Sequence, residues 1–434
     1  MRRFNWILIF TCFIVRSGAT QELLSLEDAL AIAVKNNYDL KIAGNNTVIA
    51  EKQAGTLNSG YLPTLRASGG INYAEENQSV TFADGNSTSI DGAVTESYNA
   101  SVTAEYVLFD GMERKFNQDK REENVKLSTL QERQQIENTI ISVYQSFFNV
   151  AFQKQVVENL ELTIENSRIR FLRAQKNIKY GQGTSLDVSN AQVDLNNDSI
   201  AYFEAVRDLN NLKRNLNLIL GRAIETSFKT DTAIRFSPIE NMTELINEAQ
   251  QNNIQMELAR QNLYLSDLDI NISKAKFLPK ISGSGAYRWN ESQNPPTSFA
   301  LATETSGINL GLSLSWALFD GRNVTQTQTS RITQENRRLE REKIKREVNT
   351  ELLNAVETYR IAAKTFEAEA KNIETNELNF RRTEKQYSLG QVTSIEFRQA
   401  QINLFNARNN YTRAKYDLKV AEVNLRQLAG LLLD

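Results

Sequence analysis

The chain carries one plan twice, and a repeat of this length fixes the architecture before any single residue is considered. Residues 26–63, which enter with Asp28-Ala29-Leu30 and carry Lys35-Asn36-Asn37, match residues 242–279, which carry Gln251-Asn252-Asn253. Both stretches end in aromatic-Leu-Pro, as Tyr61-Leu62-Pro63 and Phe277-Leu278-Pro279. Each copy then passes through a strand-like region to the same four residues, Leu108-Phe109-Asp110-Gly111 and Leu318-Phe319-Asp320-Gly321. Further on, Gly181-Gln182-Gly183-Thr184-Ser185-Leu186-Asp187 aligns with Gly390-Gln391-Val392-Thr393-Ser394-Ile395-Glu396. Ala191-Gln192 falls on Ala400-Gln401, Asn215-Leu216 on Asn424-Leu425, and Gly221 on Gly430. Landmarks that keep their order over nearly the whole chain exclude chance likeness between two helical proteins.

Proline and glycine punctuate each copy. Pro63 and Pro279 close matching helices, because proline removes a donor and disfavours helix just before it. Pro238 sits between the copies, and Pro295-Pro296 lie in a polar loop. Residues 112–180 contain neither proline nor glycine, and neither do residues 322–389, so each predicts one helix of about 68 residues, roughly 100 Å long. Apolar positions recur there at helical spacing: Ile136, Ile140, Val143, Phe147, Val150 and Ala151, then Leu352, Ala355, Tyr359, Ala362, Phe366 and Ala370. Charged and amide residues fill the remaining positions. That narrow seam suits helix against helix rather than a thick core. Return helices are expected at about 185–221 and 394–430, antiparallel to the long ones.

Between each proline and each Phe-Asp-Gly the period changes to two, which argues strand. Ile308, Leu310, Leu312, Leu314, Trp316 and Leu318 alternate with Asn309, Gly311, Ser313, Ser315 and Ala317. Tyr98, Ala100, Val102, Ala104, Tyr106 and Leu108 alternate with Asn99, Ser101, Thr103 and Glu105. The partner segments 65–73 and 281–289 do the same with more glycine. About ten residues is the length of a tilted strand that crosses a bilayer. Strands are therefore expected at about 64–74, 98–109, 280–290 and 306–319, with polar rim loops at about 75–97 and 291–305. The other reading, an amphipathic hairpin on a soluble core, lacks a second apolar layer to cover it. Four strands cannot close a barrel, and an open edge in lipid leaves backbone groups unpaired at several kcal/mol each. Copies must therefore associate, giving eight strands in a dimer or twelve in a trimer; a lumen of small polar residues fits the larger.

Composition narrows the rest. Arg2 and Arg3, an apolar run over residues 4–15 and Ser17-Gly18-Ala19 form an export signal over 1–19. Cys12 lies inside that run without the flanks of an acylated cysteine, so no lipid anchor is expected and the mature chain has no cysteine. Removal of Arg2, Arg3 and Arg16 takes the formal net charge from −2 to −5, unlike the basic balance of a nucleic-acid binder. The chain has no histidine, the commonest general base and transition-metal ligand. No metal, cofactor or catalytic residue is expected, and no phosphate loop is present to convert energy. No later segment offers some eighteen consecutive apolar residues, so any crossing of a membrane falls to strands.

These paired motifs resemble the TolC family of outer-membrane efflux proteins, over about residues 24–430. The resemblance implies a mainly α fold with membrane β, built from two tandem helix–β-hairpin–long helical hairpin repeats (20–222 and 241–430). An inter-repeat linker at 223–240 and a short end at 431–434 complete the chain. It further implies a homotrimer whose twelve-stranded outer-membrane barrel continues into a periplasmic α-helical tunnel, with 223–240 and the helices near 26–59 and 242–276 in the belt and upper tunnel. Pro63, Pro279, Gly111 and Gly321 mark the junctions of helix and strand. The turns at Gly181, Thr184, Gly390 and Thr393 would meet a periplasmic adaptor (membrane fusion) protein, with an inner-membrane RND or ABC transporter beyond. In family members that close like an iris, one acidic ring matches Glu396 and a second acid matches Gln399, while a tyrosine–acid bond between coiled coils matches Tyr387 and Asp187. An arginine of that network falls on Val392, so this chain lacks it and the second acid. Thr184 with Asp187 and Thr393 with Glu396 also have capping-box spacing, which accounts for both acids without a gate. The function implied is an outer-membrane exit duct, self-associated and embedded in outer-membrane lipid, driven by a partner pump in efflux or type I secretion. The alternative is a structural or adhesive coiled-coil protein of the cell envelope.

Overall fold

The computed structural model describes residues 22–236 and 242–433. The export signal with Cys12, and the end of the linker with Pro238, lie outside the described residues. The first copy supplies β1 (Glu22–Leu24), α1 (Leu26–Asn36), α2 (Tyr38–Ala54), β2 (Thr64–Thr81), β3 (Ser87–Phe109), α3 (Glu113–Lys179) and α4 (Ser185–Ile219). After β4 (Phe228–Thr230), the second supplies α5 (Met242–Asn252), α6 (Ile254–Ala275), β5 (Lys280–Gln293), β6 (Ala302–Ser315), α7 (Gly321–Ser388) and α8 (Ser394–Leu428). The long helices α3 and α7 have 67 and 68 residues. With no proline or interior glycine, nothing breaks their hydrogen-bond ladders.

The chain divides into two compact units, and each draws on both repeats. Of the described residues, one takes those up to 38, from 136 to 236 and 355–425; the other takes 39–135, 242–354 and 426–433.

The first unit is helical, with β1 and β4 paired in parallel so that Glu22 faces Phe228 and Leu24 faces Thr230. Its core gathers Leu24 of β1, Ala29 and Ala33 of α1, Val143, Phe147, Phe148, Val150 and Ala151 of α3, Leu216 of α4 with Leu220 just after it, Phe228 of β4, and Tyr416 of α8. Phe148 stacks on Tyr416 with ring centroids 5.1 Å apart, joining the first copy to the second. Burial pushes the Tyr416 hydroxyl up to about 12. The middle of the α3 seam is thus a true core, each fully buried large side chain contributing about 1.5–3 kcal/mol. The matching seam of α7 is not: Ala355, Tyr359, Ala362, Phe366 and Ala370 stay partly open.

The second unit holds a four-stranded antiparallel sheet in the order β2-β3-β5-β6. Its strands run past the expected limits. Residues 75–97 and 291–305 are not loops throughout: Ser79 pairs with Ser89 and Val80 with Thr88, while Gln293 pairs with Ala302. Threonine, valine and isoleucine favour extended backbone whether or not a face is apolar, so pairing continues where the apolar alternation stops. At the other end β6 stops at Ser315 rather than about 319, because its partner begins at Lys280. Pro279, before Lys280, has no N–H to extend the ladder.

The asparagine and glycine landmarks of each copy, far apart in sequence, meet in space. Asn37 Nδ2 donates to the Ile219 carbonyl at 2.8 Å, and Asn253 Nδ2 donates to the Leu428 carbonyl at 2.9 Å. Both capture a carbonyl left over at a helix C-terminus. Beside them Gly221 and Gly430 take φ of +65° and +75°. The backbone reverses there in a Schellman pattern, with Arg222 N–H donating to the Asn217 carbonyl at 3.1 Å and Leu431 N–H to the Arg426 carbonyl at 2.8 Å. A Cβ on Gly430 would lie 2.6 Å from the Asn252 carbonyl, so the approach itself demands glycine. Each repeat is closed end to end by one asparagine and one glycine.

Gly430→Ala is therefore expected to cost about 2–4 kcal/mol, from the left-handed backbone and the displaced Asn252 peptide together. Gly390→Ala, at φ +76° with nothing within 4 Å, should cost only the backbone share, about 1–2 kcal/mol. Thermal melts followed by circular dichroism in detergent compare them; equal shifts would exclude the packing argument.

Candidate functional site

The sheet has two chemically distinct faces, fixed by register. On one face Leu65 sits opposite Ala104, which sits opposite Gly285, opposite Leu310; Ala67, Val102, Tyr287 and Ile308 form the next row. On the other face Thr64, Glu105, Ser284 and Gly311 form one row, Arg66, Thr103, Ala286 and Asn309 the next, and Ser68, Ser101, Arg288 and Gly307 the one after. Among the described residues nothing covers the apolar face: Leu310 is 85 % and Leu312 73 % exposed. Among the described residues no helix is long and apolar enough to cross a membrane.

Where strand passes into helix, Arg114 is the hub. Its guanidinium lies 4.9 Å from the Tyr61 ring and 5.7 Å from the Tyr106 ring. Its Nε donates to Asp110 Oδ2 at 3.0 Å, and its two terminal nitrogens donate to the Gly60 and Leu108 carbonyls at 3.3 Å. Sequence reasoning missed it, although a basic residue four positions after the duplicated aspartate is a visible signal on a helix start. The second copy has Val324 there, and its Asp320 meets Arg322 instead. The other junctions differ too: Gly111 has φ +67°, whereas Gly321 opens α7. Pro63 and Pro279 directly precede β2 and β5, and Trp316 Nε1 donates to the Phe277 carbonyl at 3.0 Å.

The turns between long and return helices are built alike. Gly181 and Gly390, at φ +69° and +76°, reverse the chain. Thr184 Oγ1 accepts from Asp187 N–H at 3.2 Å while Asp187 Oδ2 accepts from Thr184 N–H at 2.9 Å, closing a capping box. Thr393 and Glu396 repeat it at 3.2 and 2.7 Å. In both acids the bond from the threonine backbone N–H, then that from its hydroxyl, holds the carboxyl below the usual range. Glu396 and Gln399 are exposed on α8, opposite the inward Phe397, Ala400 and Gln401. The Tyr387 ring lies flat on Phe397 at 4.7 Å, with Arg173 over it at 4.4 Å. Among the described residues no hydrogen bond joins Tyr387 to Asp187.

Just inside these turns sits a buried ionic cluster that the periodicity does not announce. Arg398 of α8 grips Asp198 of α4 with two bonds of 2.7 Å, and Ser167 of α3 donates to the same carboxylate at 2.6 Å. Arg170, 3 % exposed, donates to Asp194 at 2.9 Å and to Ser394 Oγ at 3.1 Å. Gln401 donates to the Thr163 carbonyl at 2.8 Å. Three helices meet here: α3 through Ser167 and Arg170, α4 through Asp194 and Asp198, and α8 through Ser394, Arg398 and Gln401. The signal lay in the heptad Ala191, Asp198, Ala205, where a carboxylate holds a seam position.

A sheet with one polar and one uncovered apolar face, carried with two long helical hairpins, defines a subunit of an outer-membrane channel. The model of the family described as outer membrane efflux protein matches residues 29–222 and 245–431. The chain belongs to that family and is an exit duct of the outer membrane, where such proteins serve efflux and type I secretion. It is 20 % identical to the protease secretion protein PrtF of Dickeya chrysanthemi, covering 98 % of this chain and 92 % of that one. It is 22 % identical to the alkaline protease secretion protein AprF of Pseudomonas aeruginosa, covering 94 % and 87 %. The crystal structure of the Campylobacter jejuni CmeC outer membrane channel shares the fold, with TM-score 0.77 at 14 % identity over 94 % of this chain and 86 % of that one.

Two substitutions test the faces of the sheet. Leu312→Arg should block assembly into the outer membrane, at about 2–4 kcal/mol near the bilayer midplane, whereas Ser313→Arg should be tolerated. Equal membrane yields of the two would overturn the register. At the turns, Asp198→Ala strands the Arg398 guanidinium and should destabilise by about 3–5 kcal/mol. Glu367→Ala, in an exposed pair with Lys371, should leave the melting temperature unchanged.

Proposed function

We propose that the chain works as a homotrimer, with its hairpins forming a twelve-stranded barrel in lipid and its helices forming a tunnel in the periplasm. The observation that carries this is the sheet itself, four strands with two free edges and an uncovered apolar face. Strand directions alternate across β2, β3, β5 and β6, so β6 of one copy can meet β2 of the next in antiparallel pairing. Pairing around a closed ring removes every edge, the only state of a sheet that lipid tolerates. The partly open seam of α7 gains a neighbour by the same association.

The repeats at 20–222 and 241–430 then act as pseudo-equivalent staves, with the linker at 223–240 around the helical part. The turns at Gly181, Thr184, Gly390 and Thr393 offer the surface for a periplasmic adaptor. An inner-membrane RND or ABC transporter supplies the driving force, and the duct itself is a passive conduit without catalysis. Family membership supports partnership with adaptors and pumps in general. The names of PrtF and AprF favour a secreted protein as cargo, in type I secretion.

Glu396 is the leading candidate for a constriction, with Gln399 one turn on in place of a second carboxylate. Its exposure on the face of α8 away from Phe397 supports this, and capping Thr393 leaves its charge in place. Tyr387 and Asp187 support the turns from within each hairpin. The buried cluster around Asp198 ties the two hairpins of one copy, so opening is expected to move them together.

Purified protein should run as heat-resistant trimers in detergent and conduct in planar bilayers; a soluble, non-conducting rod would sink the reading. In the same recordings Glu396→Ala should weaken block by multivalent cations added on the periplasmic side. Unchanged block would reduce Glu396 to a helix cap.

A further inference from the structure

The polar face of the sheet holds two arginines that neither folding nor the turns explain. Arg66 of β2 and Arg288 of β5 are both exposed. Among the described residues neither makes an ion pair, and neither donates a hydrogen bond. Their rows are adjacent: Arg66 stands with Thr103, Ala286 and Asn309, and Arg288 with Ser68, Ser101 and Gly307. Every neighbour across the sheet is therefore short, and the two guanidinium groups reach past the rest of the face. On the opposite side the same heights run from the Leu65–Leu310 row, through the Ala67–Ile308 row, to the row of Gly69, Ala100, Trp289 and Ser306, so Arg66 lies inside the apolar belt and Arg288 toward its outer edge.

We propose that Arg66 and Arg288 form a cationic collar in the barrel lumen that makes the duct favour anions, and acidic cargo over basic cargo, in transit. The inference rests on the trimeric barrel proposed above and adds the charge preference of its lumen. In the order β2-β3-β5-β6, closed by threefold symmetry, β2 and β5 are every second strand, so the guanidinium groups alternate evenly around the wall. Two strands across and two residues along put neighbouring Cα atoms about 12 Å apart, a little over the screening length of about 10 Å in 0.1 M salt. The charges therefore repel one another only weakly. A twelve-stranded barrel tilted by about 40° has a backbone radius of about 12 Å, so side chains of this length bring the whole lumen within a screening length of a positive charge.

Other charges on this face do not cancel the collar. Glu105 stands one row toward the helical end, and Lys280, two rows further, offsets it. Toward the outer end the next carboxylate on this face is Glu76, ten residues along β2 from Arg66. A ring of arginine or lysine side chains is the established physical basis of anion preference in a pore.

Reversal potentials of full-length protein in planar bilayers, under a tenfold KCl gradient, test the collar. The Arg66→Gln/Arg288→Gln double variant should lower the chloride-to-potassium permeability ratio by about threefold or more, since one unit charge about 10 Å away already changes local ion concentration about twofold in water. Each single variant should give part of that fall. Arg66→Lys/Arg288→Lys should keep the wild-type ratio, and Arg66→Glu/Arg288→Glu should push it below the glutamine variant. A conducting channel whose ratio is the same in the glutamine and glutamate variants overturns the collar alone. A wild-type protein that conducts nothing overturns the barrel reading and the collar with it.

Discussion

Everything in this chain follows from a sheet that cannot stand alone. Among the described residues, four strands leave the outward N–H and C=O groups of β2 and β6 without partners, and Leu310 and Leu312 without cover. In water such a sheet would be an aggregation template. In lipid each orphaned backbone group costs several kcal/mol. The proposed closed ring of copies, with the apolar face outward, would solve both problems and would also give α7 neighbours for a seam one chain leaves partly open. In that proposed ring the polar rows of the other face, short apart from Arg66, Arg288, Glu105 and Lys280, would enclose a route for cargo.

The helical turns distribute charge differently. Exposed carboxylates there have local partners, with Asp187 and Glu396 each bonded to its own threonine three residues back. The charges that bind helix to helix are buried or half-buried: Arg398 with buried Asp198, and buried Arg170 with Asp194 and Ser394. Surface pairs such as Lys371 with Glu367 contribute little beside these, because water and salt screen them. The hairpins of one copy are accordingly held by a few largely desolvated contacts.

Much of this was legible in the sequence, and the misses have physical causes. The long helices were visible because proline and glycine are absent from 112–180, and the strands because alternation is strict where one face is apolar. Alternation stops at the rim, yet Val80 and Thr88 go on pairing, since backbone bonding does not require an apolar face. Asp198 reads as a solvated charge until its partners are known, and Arg398 lies 200 residues away. Arg114 was hidden by the repeat itself, which directs attention to shared residues while the second copy has Val324.

The sequence by itself determined the duplication, the period of each segment and the need for association, because these depend only on local stereochemistry and on the count of strands. Tertiary structure alone decided which distant residues meet. Asn37 and Gly221, or Asn253 and Gly430, look like independent landmarks on a line, and only folding brings each asparagine to the carbonyl that its glycine exposes. The same holds for Arg66 and Arg288, whose adjacency is a matter of register between β2, β3 and β5. Register is set by pairing over whole strands, and no local pattern in either segment encodes it.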